Sequence, residues 1–169
     1  MLKAQRNQIF EEWMEAHEAI LFKVSRAYGA THADREDLFQ EIALQVWNSI
    51  PTFRGDAAVF TWIYRVALNT ALAWSRKEKK HGRGRQDLEA ASGLLISSDN
   101  RDPRLEWIYQ RIAELDDVSR SLALLMLDGF SYRDMSQILS LSESNVGVKI
   151  NRIKAALAAQ LAKESKDEL

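Results

Sequence analysis

The sequence contains no cysteine, which excludes disulfides and thiolate metal sites at once. Proline is scarce at two residues and glycine sparse at seven, so little stands in the way of long helices. Three histidines, His17, His32 and His81, are scattered without ligand spacing and read as surface or helix-end residues. The first residues, MLKAQRNQIFEEW, lack the apolar run of a secretory signal, and no later stretch is long enough to span a bilayer. A cytoplasmic protein with no membrane insertion is therefore expected. The last four residues, Lys166-Asp167-Glu168-Leu169, spell an endoplasmic-reticulum retention signal. Without a secretory signal they read as a charged helix end.

Catalytic patterns are missing as well. There is no glycine-rich phosphate loop, no HExxH pair and no serine or cysteine in a nucleophile motif. Glu11, Glu12, Glu15 and His17 share a helix but match no di-metal carboxylate spacing. The expectation is a protein that is not an enzyme and carries neither metal nor cofactor.

What is present is charge in a particular place. The formal net charge is −1, too small to favour indiscriminate coating of nucleic acid. Yet Arg76, Lys77, Lys79, Lys80, Arg83 and Arg85 lie within ten residues against the single acid Glu78.

Periodicity divides the chain. A first amphipathic helix is predicted from about Gln5 to Ala27, with Ile9, Trp13, Ala16, Ile20 and Val24 as its apolar stripe and Gly29 as its stop. A second begins near Asp34, buries Leu38, Ile42 and Val46, and ends at Pro51. Its opposite face carries Asp37, Gln40, Glu41 and Gln45, an acidic and amide-rich surface suited to solvent or to a basic partner helix. After the loop TFRGDAA a third helix is predicted from about Val59 to Lys80. A turn of about 100° per residue puts Phe60, Ile63, Tyr64, Ala67, Ala71 and Trp74 on a core side. It puts Trp62, Arg65, Asn69 and Arg76 on the other side, leading into the basic cluster. That combination of stacking, hydrogen-bonding and phosphate-neutralising groups suits single-stranded nucleic acid, and Phe53 and Arg54 in the loop add to it. The plainer reading makes Trp62 and Phe53 an outer closure of the core.

From His81 to Pro103 periodicity disappears among Gly, Ser, Asp and Asn, which predicts a linker between two domains, residues 1–80 and 104–169. Beyond it, helices are predicted over Arg104–Leu115 and Asp117–Leu127, the latter stopped by Asp128-Gly129. Ser131 caps a short helix to about Leu139, and Ser142 caps a last one to about Ala162. No strand pattern occurs, so the fold class is all-α. A short helix, a tight turn and a longer helix make the helix-turn-helix plan. In its second helix Val146, Ile150, Ile153, Leu157 and Leu161 form a predicted buried stripe. Ser144, Val148, Asn151, Arg152 and Ala155 face outward toward base edges, and Lys149 and Lys154 toward phosphates.

Taken together, these segments resemble sigma factors of bacterial RNA polymerase, of the extracytoplasmic-function type. The stretch from Asp34 to Lys80 carries the Asp-Leu-x-Gln-Glu run, the FRG loop, the TWxYRxAxN stretch and the basic end in register with the family's second region. Leu115 to Leu157 looks like its fourth region. The resemblance implies a factor that binds core RNA polymerase, through its clamp helices and flap, and promoter DNA. Asp37, Gln40, Glu41 and Gln45 would meet the polymerase. Phe53, Arg54, Trp62, Arg65, Asn69, Arg76 and Lys77 would hold the melted minus-ten element. Ser144, Asn145, Val148, Lys149, Asn151, Arg152 and Lys154 would read the minus-thirty-five element as duplex. The linker would run near the RNA-exit path, and an anti-sigma factor is a further partner the resemblance allows. The chain departs from the family where Gly147 replaces a lysine, Lys149 an arginine, and Ser140 a frequent glycine. The alternative is a free-standing helix-turn-helix regulator of duplex DNA, which has no need of the stripe from Trp62 to Arg76.

Overall fold

The computed structural model describes residues 1–81 and 102–168. The predicted linker lies almost wholly outside them, as do Arg83 and Arg85. Among the described residues the regular structure is helical: α1 (Lys3–Tyr28), α2 (His32–Ser49), a 3-10 turn (Ile50–Thr52), α3 (Val59–Lys80), α4 (Pro103–Ala113), α5 (Asp117–Leu127), α6 (Tyr132–Leu139) and α7 (Glu143–Asp167). The chain divides into two units, residues 1–102 and 103–169.

In the first unit α1, α2 and α3 pack against one another around a single core. Leu21 and Val24 of α1, Leu38, Ile42 and Val46 of α2, and Ile63, Tyr64, Ala67 and Leu68 of α3 are fully buried. Each large one contributes roughly 1.5–3 kcal/mol by leaving water. The predicted α1 stripe needs one correction. Ala16 is exposed, and His17 turns inward in its place, with its ring 5.9 Å from that of Phe60. Thr31 caps α2 by accepting the Asp34 backbone N–H at 3.0 Å.

Gly29 stops α1, but not by adopting the left-handed conformation, since its φ is −82°. A Cβ there would stand 2.5 Å from Cγ of Arg35 and 2.9 Å from its backbone N. The missing side chain lets the start of α2 close onto the end of α1, where the Arg35 Nε–H donates to the Gly29 carbonyl at 2.8 Å.

The second unit is built on α7, against which α5 and α6 pack. Asp116 caps α5 through the Ser119 N–H at 2.9 Å, and Arg120 donates to the carbonyls of Ala113 and Leu115, closing the end of α4. Gly129 takes a φ of +80° after α5, and the Phe130 N–H reaches back to the Leu125 carbonyl at 3.1 Å. The same device ends α6, where the Leu141 N–H bonds the Ser136 carbonyl at 3.0 Å, but the left-handed position is filled by Ser140 with a φ of 55°. Ser142 caps α7 by accepting from the Asn145 N–H at 3.1 Å.

The predicted buried stripe of α7 holds only in part. Val146, Ile150 and Ile153 are buried, Leu157 is half-buried and Leu161 is 56% exposed. The helix runs on to Asp167, five residues past its predicted end, and its later turns outlast the apolar cover that α5 and α6 give Val146 to Ile153.

Candidate nucleic-acid interface

Two surfaces hold the residues singled out for nucleic acid, and a third those singled out for a protein partner. The first begins where α2 gives out. Ser49 donates its hydroxyl to the Val46 carbonyl at 2.7 Å and accepts the indole N–H of Trp62 at 3.1 Å. The 3-10 turn then sets Phe53 between two tryptophans, its ring 5.2 Å from Trp13, edge to face, and 5.4 Å from Trp62. This stack anchors the loop, and Gly55 carries the chain round at a φ of +79°, which a side chain adopts only with strain. Arg54 is left exposed.

The stripe on α3 therefore divides. Trp62 and Arg65 are half-buried, the first with its indole N–H already engaged. Asn69, Arg76 and Lys77 are exposed, as are Lys79 and Lys80. The basic residues at the end of α3 also suit the negative pole of its dipole. The aromatics serve the framework of the loop, while Asn69, Arg76 and Lys77 beyond them face solvent.

The second surface is the outer face of α7. Ser144, Asn145, Val148, Asn151, Arg152 and Lys154 are all exposed, Val148 at 47%. Lys149 is half-buried, and its charge reaches Asp116. The Asp116 carboxyl is held below the usual carboxylate range, chiefly by the Ser119 backbone N–H, against an opposing effect of burial, with smaller help from the Ser119 hydroxyl and Lys149. Gly147 lies under Tyr132 of α6, whose ring is 3.6 Å from where a Cβ would stand.

On the third surface Asp37, Gln40 and Glu41 are exposed along α2, and Gln45 donates its side-chain amide to Glu41 at 3.4 Å. Sequence reasoning missed Leu44, which is 51% exposed on this face. Its position seven residues after Asp37 and three after Glu41 puts it on the same side of a helix, and that spacing was the available signal. Phe22 was missed too, 58% exposed on α1 with its ring 4.7 Å from Phe39. Among the described residues no group of His, Asp and Glu is arranged to hold a metal, and no helix is long and apolar enough to cross a membrane.

Comparison with known proteins matches both units. The family described as Sigma-70 region 2 matches residues 13–81, and Sigma-70, region 4 matches residues 105–157. The RNA polymerase sigma-H factor of Pseudomonas aeruginosa is 28% identical over 142 residues, 73% of this chain and 71% of that protein. The ECF RNA polymerase sigma-E factor of Escherichia coli K12 is 26% identical over 141 residues, covering 73% and 72%. Among solved structures, the fold is shared with the sigma factor RpoE bound to the anti-sigma factor NepR from Bartonella quintana, with a TM-score of 0.69 at 19% identity and coverage of 92% and 98%. It is shared also with CnrH in complex with the cytosolic domain of CnrY, at a TM-score of 0.65, 23% identity and coverage of 95% and 94%. Two regions of one family in the expected order, on helices of the matching fold, place this chain in the sigma-70 family of RNA polymerase sigma factors, in its extracytoplasmic-function branch.

Proposed function

We propose that this sigma factor binds core RNA polymerase and reads a promoter in two chemically different ways, the minus-thirty-five element as duplex and the minus-ten element as melted single strand. The single observation that carries the reading is the outer face of α7. Six residues able to meet base edges or phosphates stand exposed there together, on the second helix of a helix-turn-helix. Asn145, Asn151, Ser144 and Arg152 offer hydrogen bonds to base edges, Val148 a methyl-sized apolar contact for thymine, and Lys154 neutralises phosphate. Lys149, half-buried, completes the basic side.

Melted DNA is the proposed ligand of the α3 surface. Opening duplex costs lost stacking, which captured bases offset when the protein supplies polar pockets and cationic walls. Asn69, Arg54, Arg76 and Lys77 supply those groups, and the Phe53–Trp62 stack holds the loop that presents Arg54. Arg65 supports the same face from a half-buried position. Asp37, Gln40 and Glu41, with Gln45 and the apolar Leu44, form the proposed docking face for a basic and partly apolar helix of the polymerase clamp. The solved relatives bound to regulatory chains support an anti-sigma factor as a further partner. A small net charge fits a protein that holds promoter DNA firmly only when the polymerase adds its own contacts.

The test is transcription in vitro with core polymerase on promoter fragments from the source genome. Specific initiation that depends on the protein supports the reading. Sequence-specific duplex binding by the protein alone, with no effect of polymerase, would establish the free-standing regulator instead.

A further inference from the structure

The docking face proposed on α2 does not end at Leu44. At about 100° per residue, Gln40, Leu44 and Trp47 fall on the side opposite buried Leu38, Ile42 and Val46. Helical geometry alone would expose a tryptophan there, yet Trp47 is half-buried. Its cover comes from the first turns of α1. Asn7 accepts the indole N–H at 2.9 Å, and the Arg6 guanidinium lies 4.2 Å from the centre of the ring. Arg6 stands three residues before Ile9, at the next place in the apolar stripe of α1, so the helix itself turns it toward α2. Its Nε is buried with no hydrogen-bond partner among the described residues, and the face of the indole is what holds the cation.

The face therefore has two electrical ends. Asp37 and Glu41 are exposed toward the start of α2, and Leu44 is 51% exposed between them and Trp47. At the far end stand Arg6 and, one turn before Asn7, the exposed Lys3, and α1 has no acid in its first turn. The positive end of the α1 dipole adds to them. Asp37 and Trp47 are ten residues apart, which is about 15 Å along the helix. At about 0.1 M salt, charges are screened over about 10 Å, so a partner meets the two ends separately and not as a sum near zero.

We propose that this face takes a helix whose charges run the opposite way: basic residues against Asp37 and Glu41, an apolar middle against Leu44, and a carboxylate against Arg6 and Lys3. The direction of the docked helix is then fixed as well as its place. The inference rests on the docking reading given above and adds α1 to it. A helix docked backwards sets acid against acid and base against base, which penalises the wrong direction beyond the loss of attraction. Arg6 acts through its charge, which reaches a neighbouring carboxylate without any opening of the packed Nε. Stacking on Trp47 holds a long side chain in one place before the partner arrives, so less freedom is lost on binding.

The experiment measures the affinity of the full chain for core RNA polymerase by fluorescence anisotropy. The variants are Lys3→Glu, Arg6→Glu, Glu41→Lys, and the exchange of Arg6→Glu with Glu41→Lys, which leaves the net charge unchanged. Arg6→Glu should weaken binding about fivefold at low salt, and Lys3→Glu about threefold. Both losses should shrink between about 0.05 M and 0.3 M salt, as a loss of packing in α1 would not. The exchange should bind more weakly than either single variant, near the product of their fold-changes, because the two ends are far enough apart to act independently. Circular-dichroism melts check that α1 holds; where Arg6→Glu melts early, the exposed Lys3→Glu decides in its place, alone and exchanged with Glu41→Lys. Parent-like binding by the exchange would mean that net charge alone governs, and would overturn the proposal. Parent-like binding by Lys3→Glu and Arg6→Glu beside a weakened Glu41→Lys would also overturn it, and the docking reading would stand without α1. Parent-like binding by all three single variants would remove the docking reading itself, and this inference with it.

Discussion

The indole N–H of Trp107, near the start of α4, is donated to the carboxylate of Glu164, 57 residues downstream near the end of α7. Gln160 donates to the same carboxylate at 3.0 Å, and an Arg111 Nη lies 3.4 Å away. The clasp ties α4 to a stretch of α7 that lies beyond its buried stripe. It accounts for the helix reaching Asp167 although Leu161 is exposed.

Because Gln160 and Trp107 hydrogen-bond the ionised form, and Arg111 attracts it, the Glu164 carboxyl sits below its ordinary value of 4.5. A carboxyl depressed on folding contributes stability above its unfolded value, and that contribution is lost as the pH falls through its folded value. Glu164→Gln should therefore lower the thermal midpoint of the second unit at neutral pH. The gap from the parent should narrow below about pH 4, as the parent itself becomes protonated. With the side chain 38% exposed, added salt should shrink the effect as well. Circular-dichroism melts between about pH 3 and pH 7 read it directly. A gap that widens toward acid would mean the carboxylate is not what the clasp uses.

Two departures in the helix-turn-helix carry their own costs. Ser140 occupies a left-handed position, with a φ of 55°, that glycine fills without strain. Ser140→Gly should stabilise the second unit by about 0.5–1 kcal/mol after allowing for the greater freedom of glycine in the unfolded chain. Gly147 sits inside α7 with 3.6 Å between an added Cβ and the Tyr132 ring, an ordinary contact. Gly147→Ala should gain about 1 kcal/mol of helix propensity. Urea denaturation measures both. A loss at position 147 would show that Tyr132 tolerates no closer neighbour.

Gly29→Ala should go the other way. The new methyl overlaps Cγ of Arg35 at 2.5 Å, so the α1–α2 turn must open, at a cost of about 1–3 kcal/mol in urea midpoint analysis. Adding Arg35→Ala removes the Cγ but leaves the backbone N at 2.9 Å and the Cα at 3.0 Å. The double variant should recover only part of the loss. Full recovery would place the strain in the side chain alone.

Much of this was legible in the residues. Apolar spacing located the described helices, and Ser131 and Ser142 marked the starts of α6 and α7, because these signals are local and follow from helical geometry. Gly129 was readable as a left-handed stop for the same reason. Gly29 was not, since its role is to admit Arg35 across a turn, a contact between chain segments that no periodicity encodes. The outer face of α7 was legible because a helix with one buried side must expose the other. The α3 stripe was legible as a direction but not as a state. Trp62 points where the helical wheel puts it, yet Ser49 and Phe53, brought there by the 3-10 turn, cover it. Leu161 failed for a related reason, since an apolar residue on the right face is buried only where a partner helix extends to meet it.

The two surfaces of the first unit can be separated by substitution. Asn69 and Glu41 are both exposed and lie outside the core, so changing either should leave the fold intact. Asn69→Ala removes one hydrogen-bonding group from the surface proposed to hold the melted strand. It should reduce open-complex formation about tenfold, read by fluorescence of a base analogue in the minus-ten element, with affinity for core polymerase unchanged. Glu41→Lys reverses a charge on the docking face and disturbs its pairing with Gln45. It should weaken binding to core polymerase tenfold or more by fluorescence anisotropy. At saturating protein, melting should then be restored, because the strand-holding surface is untouched. If Asn69→Ala weakened polymerase binding while Glu41→Lys spared it, the two faces would have to exchange roles; if both variants behaved like the parent, neither face would have the role proposed for it.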